Sequence, residues 1–175
     1  MKMSGTSIKF KAELMKSDLE SGWHFLLIDA KHGEKFEKLN GSRRVVCTIE
    51  GTLSFQCALQ PWKGNFAIIV NKEKREKLGI SAGDKVTVEL AKDNSKYGLP
   101  MPDELKEVLK QDREGNKLFH KMTAGKQRSI LYWVGQVKDI DRRIHTALIF
   151  IEHLKRNDGK IVHNELMAEL KRPIL

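Results

Sequence analysis

Arg44-Val-Val-Cys-Thr-Ile-Glu-Gly-Thr-Leu-Ser-Phe-Gln-Cys-Ala-Leu59 is the stretch whose reading decides the fold. Val45, Cys47 and Ile49 form one alternating apolar set, and Leu53, Phe55, Cys57 and Leu59 form the next. Successive strand side chains point to opposite faces, and both sets occupy odd positions. They share a face only if Ile49 pairs with Leu53, leaving Glu50-Gly51-Thr52 as a three-residue connection. A two-residue turn would send the two sets to opposite faces. The favoured register sets Cys47 opposite Phe55 and Cys57 opposite Val45. The thiols are then diagonal neighbours, roughly 7 Å apart and marginal to long for a disulfide, so both read as buried free thiols.

Upstream of the hairpin, Ser7 to Met15 alternates like a half-buried strand, and Gly22 to Ile28 is a denser apolar run that reads as another. Glu34 to Leu39 has room for one short helix before the Asn40-Gly41 turn signal. Downstream, Asn65 to Val70 predicts a strand and Asn71 a cap for a helix over Lys72 to Leu78. A glycine-dependent turn through Gly79 and Gly83-Asp84 then leads into a last strand, Lys85 to Leu90. Short strands at this spacing predict a small barrel or sandwich.

Polar residues, glycine and two prolines mark 93–102 as a linker between domains at 1–92 and 103–175. Beyond the linker the apolar period changes from two to 3.6. Helices are expected over Asp103 to Lys110 and Asp112 to Lys121, then from a Thr123 cap to Val137 with the stripe Ile130, Trp133, Val134 and Val137. A fourth starts at Asp139 or Asp141, carries Ile144, Leu148, Ile151 and Leu154, and stops at Asn157-Asp158-Gly159. A fifth runs from about Asn164 to Lys171. The fold class is α+β, a small N-terminal β-barrel followed by a helical region.

The 175 residues carry 32 Lys and Arg against 23 Asp and Glu, a net charge of +9. Residues 1–96 hold +5 of it and 97–175 hold +4, so neither half is a dedicated basic arm. No segment approaches the roughly 20 apolar residues of a membrane span. Met1-Lys-Met-Ser-Gly-Thr6 lacks the apolar segment of a secretory leader. Two cysteines are no disulfide framework, and the expected location is the cytoplasm.

Several stretches resemble a bacterial two-part family, in which a domain of unknown function precedes a YdeI/OmpD-associated, or bacteriocin-protection, region. In the first half these are Phe10-Lys-Ala-Glu-Leu14, Arg44 to Gly51 and Lys77 to Val88. In the second they are Leu99-Pro-Met-Pro-Asp-Glu-Leu105, Ile130-Leu-Tyr-Trp-Val134, Lys138 and Arg142-Arg143-Ile144. The resemblance implies a double-split barrel related to the AbrB-like fold, and it implies no known reaction. One departure stands out. Ile140-Asp141 replaces the family's Thr-Arg, so a role carried by that arginine has no counterpart here.

Motif chemistry is sparse. No phosphate-binding glycine loop occurs, and Ala124-Gly125-Lys126-Gln127 lacks both the hydroxyl and the preceding glycine. The six histidines show no metal-ligand spacing, and no serine sits in a nucleophile elbow. Neither a catalytic residue, a cofactor nor a metal is expected. The remaining candidate is a basic segment with aromatic neighbours: Lys126, Arg128, Tyr132, Trp133, Lys138, Arg142 and Arg143. Cations beside aromatic rings suit phosphates and stacked bases. The competing reading makes Trp133 a core residue and the charges a solvated face. The sequence thus predicts a non-enzymatic binding protein, with nucleic acid or an acidic protein surface as partner. A nucleic-acid-binding regulator and an enzyme with an unrecognised interdomain site are the alternatives.

Overall fold

The computed structural model describes residues 7–174, so Met1–Thr6, read above for a leader, lie outside it. The chain divides into two compact units, 1–98 and 99–175.

The first unit contains β1 (Ile8–Lys16), β2 (His24–Ile28), α1 (Ala30–Gly33), β3 (Arg43–Ile49), β4 (Leu53–Trp62), β5 (Asn65–Ile69), α2 (Lys72–Leu78) and β6 (Lys85–Lys92). Its strands close into a barrel in the order β1-β2-β5-β4-β3-β6. The two long strands make closure possible, because each divides its length between two neighbours. Ile8 to Glu13 of β1 pair with β6, and Leu14 to Lys16 pair with β2. Likewise Leu53 to Leu59 of β4 pair with β3, and Gln60 to Trp62 with β5. Both sheets therefore share β1 and β4, and every strand finds a partner on each side.

The inward residues follow the period of two. Leu14, Leu26, Ile28, Val45, Cys47, Ile49, Ile68, Val88 and Leu90 are all completely buried. Removing each such aliphatic side chain from water contributes roughly 1.5–3 kcal/mol before entropy is counted. Ile49 pairs with Leu53, Cys47 with Phe55 and Val45 with Cys57, the register that residue parity requires. Glu50 and Gly51 both take positive φ in the connection. Glu50 bears that strain while exchanging hydrogen bonds with Thr87 of β6, through its backbone N–H and its carboxylate.

The short helix before the hairpin starts earlier than the sequence suggests. It spans Ala30–Gly33 rather than beginning at Glu34, because Asn65 accepts the Ala30 N–H at 3.0 Å and fixes the start. Leu39 and Ser42 then bridge around the Asn40-Gly41 turn. On α2, Asn71 caps the first turn and Gly79 ends the helix in the left-handed region, where an L side chain is strained.

The second unit comprises α3 (Asp103–Gln111), α4 (Arg113–Lys121), α5 (Ala124–Gln136), α6 (Ile140–Arg156) and α7 (His163–Leu170). Asp112, Thr123 and Asp139 each accept an N–H of the following first turn, so the caps set the helix starts. The core gathers on α6, where Ala147, Phe150, Ile151 and Leu154 are buried with Leu105, Leu109, Phe119, Ile130, Val134 and Leu166. Three residues of the expected stripes lie outside this core. Trp133 is 49% exposed, Ile144 39% and Leu148 45%. Among the described residues, no helix is long and apolar enough to cross a membrane.

α4 reaches α6 through a glycine. A Cβ on Gly115 would stand 2.2 Å from Cγ2 of Ile151. Gly115→Ala is expected to cost about 2 kcal/mol through this overlap, despite alanine's better helix propensity. Urea unfolding measures it, and an undiminished midpoint would show that α4 can move off α6 freely.

Candidate functional site

Helix α5 has the composition of a contact helix: AGKQRSILYWVGQ contains no carboxylate. At 100° per residue its apolar side holds Ile130, Leu131 and Val134, all buried. The opposite side holds Lys126, Ser129, Tyr132, Trp133 and Gln136, all exposed. Lys126 and Trp133 are seven apart and share one edge of that face, while Arg128 and Tyr132 are four apart and share the other. Tyr132 is 57% exposed, so two adjacent rings stand out from one helix between two basic edges. Thr123 at the start of α5 and the bond from Gln127 Nε2 to Phe119 O, 3.1 Å, fix the helix against the end of α4.

The structure brings four of the seven candidates onto this face: Lys126, Arg128, Tyr132 and Trp133. Lys138 and Arg142 are exposed on the turn into α6 and on its first turn. Arg143 is used differently. Its guanidinium donates to Val137 O at 2.7 Å, Lys138 O at 3.3 Å and Glu104 Oε1 at 3.0 Å, tying α3 to the end of α5. The aromatic period alone makes Trp133 look inward. It is the burial of Leu131 on the far edge that rotates α5 and leaves Trp133 outside.

A second polar cluster escaped the sequence because its members are far apart in the chain. His153 on α6 is fully buried, and the N–H of Val162 donates to its Nε2 at 3.0 Å. A backbone N–H can only donate, so Nε2 carries the lone pair. Nδ1 therefore carries the proton and donates it to Glu169 Oε2 at 3.1 Å. The other oxygen of Glu169 accepts from Arg156 Nη2 at 2.8 Å. His153, Glu165 and Glu169 offer ligand atoms within 4.8 Å of one another. A cation there would need the Nδ1 lone pair, and the proton that Nδ1 loses could go only to Nε2, against the Val162 N–H. The cluster is chemically a latch that holds α7 onto α6, with His153 accepting an N–H that the start of α7 leaves otherwise unpaired.

The thiols are poor nucleophiles in this setting. Burial pushes Cys47 far above its ordinary range, helped by neighbouring Cys57. Burial also pushes Cys57 up to about 12, against the opposing pull of Arg44 and Lys74. Both are free cysteines on the barrel's inner face.

The comparisons with known proteins follow the division into units. Among curated proteins, none matches this chain. Residues 10–90, the barrel, match the model of a domain of unknown function, DUF1905. Residues 99–157, from the entry to α3 through α6, match a model described as "Bacteriocin-protection, YdeI or OmpD-Associated". The chain thus joins a DUF1905 domain, over residues 10–90, to a YdeI/OmpD-associated region, over residues 99–157.

Proposed function

We propose that this is a non-enzymatic binding protein of the YdeI/OmpD-associated type, and that the outer face of α5 is its contact surface for an acidic partner. One observation carries the reading: Tyr132 and Trp133 stand half-exposed between Lys126 and Arg128 on a helix without a carboxylate. Large aromatic rings cost apolar hydration when left in water, and a flanking cation adds attraction for phosphate or carboxylate. Lys138 and Arg142 extend the positive charge beyond α5, while Arg143 positions the helix end. The family description over residues 99–157 supports a role in bacteriocin or envelope-stress tolerance. The free thiols support a reducing compartment, the cytoplasm. The shared strands β1 and β4 support kinship of the barrel with AbrB-like folds.

Fluorescence anisotropy with mixed single-stranded DNA and RNA oligonucleotides, at low and near-physiological salt, tests the surface. A stacked base contributes about 1–3 kcal/mol, so Trp133→Ala and Tyr132→Ala should each weaken binding by roughly tenfold. Arg142→Ala should weaken it similarly across sequences and flatten the salt dependence. Binding confined to low salt would direct the search to acidic protein surfaces. Affinity untouched by all three substitutions would remove α5 as the contact.

A further inference from the structure

Asn40-Gly41 forms the turn that leads into β3, and it is the only Asn-Gly pair in the 175 residues. The pair has a chemistry of its own. An asparagine side chain is an amide whose Cγ can be attacked by the backbone nitrogen of the next residue, closing a five-membered ring. A side chain on that next residue obstructs the attack, and glycine has none. Every other asparagine precedes a residue with a side chain.

The structure leaves this pair open. Asn40 and Gly41 are both exposed, with φ of +52° and +82°. A Cβ placed on Gly41 would meet nothing within 4 Å. Among the described residues, neither the Asn40 side chain nor the Gly41 N–H has a hydrogen-bond partner. The remaining asparagines are tied down. Asn65 accepts the Ala30 N–H at 3.0 Å, and Asn71 the Lys74 N–H at 2.9 Å. Asn116 and Asn164 lie within α4 and α7, and Asn157 donates to the His153 carbonyl at 3.1 Å. The nitrogen that would attack Asn94 belongs to Ser95, whose N–H is bound to Asp93 at 2.9 Å.

Ring closure requires Asn40 to rotate out of the turn, which breaks the Leu39–Ser42 bridge. That bridge is isolated, with N–H to carbonyl distances of 2.9 and 3.2 Å. Two hydrogen bonds on an exposed turn open far more often than the barrel does.

We propose that Asn40 is a self-modification site, converted by the Gly41 nitrogen and water to aspartate and isoaspartate. The Gly41 nitrogen bonds to Asn40 Cγ. Its proton, relayed by solvent, departs with the side-chain nitrogen as ammonia. Water then opens the cyclic imide, at Cγ to leave aspartate or at the main-chain carbonyl to leave isoaspartate, and nothing is oxidised or reduced. Either product places a new negative charge in the turn before Arg43 and Arg44. Aspartate tolerates the left-handed conformation and keeps the turn. Isoaspartate lengthens the main chain by a methylene, which a two-residue turn cannot absorb while keeping both bonds of its bridge.

Peptide mapping by mass spectrometry tests the site, on the full chain held at mildly alkaline pH in ordinary and in heavy-oxygen water. An isoaspartate-specific carboxyl methyltransferase counts the rearranged product. Asn40 should convert roughly tenfold faster than any other asparagine, take up the heavy oxygen, and react within about tenfold of its rate in the guanidinium-unfolded chain. Gly41→Ala, compared in the unfolded chain where turn strain plays no part, should slow the conversion about tenfold. A folded rate below that range would overturn the proposal, since the turn would then be closed to the reactive geometry. Conversion spread evenly over Asn94 and Asn157 would overturn it as well, as would an unchanged rate in Gly41→Ala.

Discussion

His153→Ala is expected to lower the stability of the helical unit by about 3 kcal/mol. Three costs combine. The imidazole is fully buried, so its removal leaves a void between α6 and α7. The Val162 N–H loses its acceptor at the start of α7, where no side chain caps the helix. Glu169, itself almost wholly buried, loses the donor to Oε2 and keeps only Arg156. Asparagine 157 adds a fourth tie, donating to the His153 carbonyl at 3.1 Å, but this survives the substitution. Urea denaturation of His153→Ala, Glu169→Gln and the double variant measures the effect and its origin. A coupling of about 1–2 kcal/mol is expected from the cycle, since the two side chains bond directly. A loss below about 1 kcal/mol for His153→Ala would show that α7 contributes little to the unit, and would sink the latch.

The barrel was legible because parity is a strong constraint. A strand shifted by one residue exposes its whole apolar set, so odd-numbered residues on both sides of Glu50-Gly51-Thr52 leave one register. The same rule fails for α1, whose start depends on Asn65, 35 positions away. Nothing near Ala30 signals that acceptor, whereas Glu34 to Leu39 carries ordinary helix formers. The division of β1 and β4 between two neighbours was legible only as strand length.

Among the helices, the caps were readable and the packing was not. Asp112, Thr123 and Asp139 act within three residues of themselves, so local sequence suffices. The period of 3.6 tells which residues share a side of a helix but not which side another helix covers. Trp133, Ile144 and Leu148 all lie on plausible stripes, yet all three remain exposed. The candidate face on α5 was therefore found from composition, while an open groove between α3 and α6, lined by Ile144 and Leu148, was hidden as apparent core. The His153–Glu169 pair was hidden by its separation of 16 residues. A single weak signal preceded it: His153 precedes Leu154 in a buried turn, and Glu169 follows Leu166 at helical spacing.

Thiol reactivity should show the largest effect of all. At pH 8 a neutral alkylating reagent is expected to label Cys57 in the native protein about a thousandfold more slowly than in the urea-unfolded chain. The thiolate is the reactive form, and burial lifts this thiol from 9.0 to about 12. Arg44 and Lys74 favour the thiolate and Asp93 disfavours it, but desolvation outweighs the cations. Cys57 keeps some exposure, and its rate should climb about tenfold per pH unit from pH 8 upward. Cys47 has no exposure, so it should react more slowly still, and its rate should depend on dilute urea because the barrel must open first. Mass spectrometry after timed quenching separates the two sites. Rapid labelling of either cysteine at neutral pH would mean an accessible, ionised thiol, and would reopen nucleophilic chemistry inside the barrel. Slow labelling in the stated order leaves the barrel without a reactive group at either cysteine.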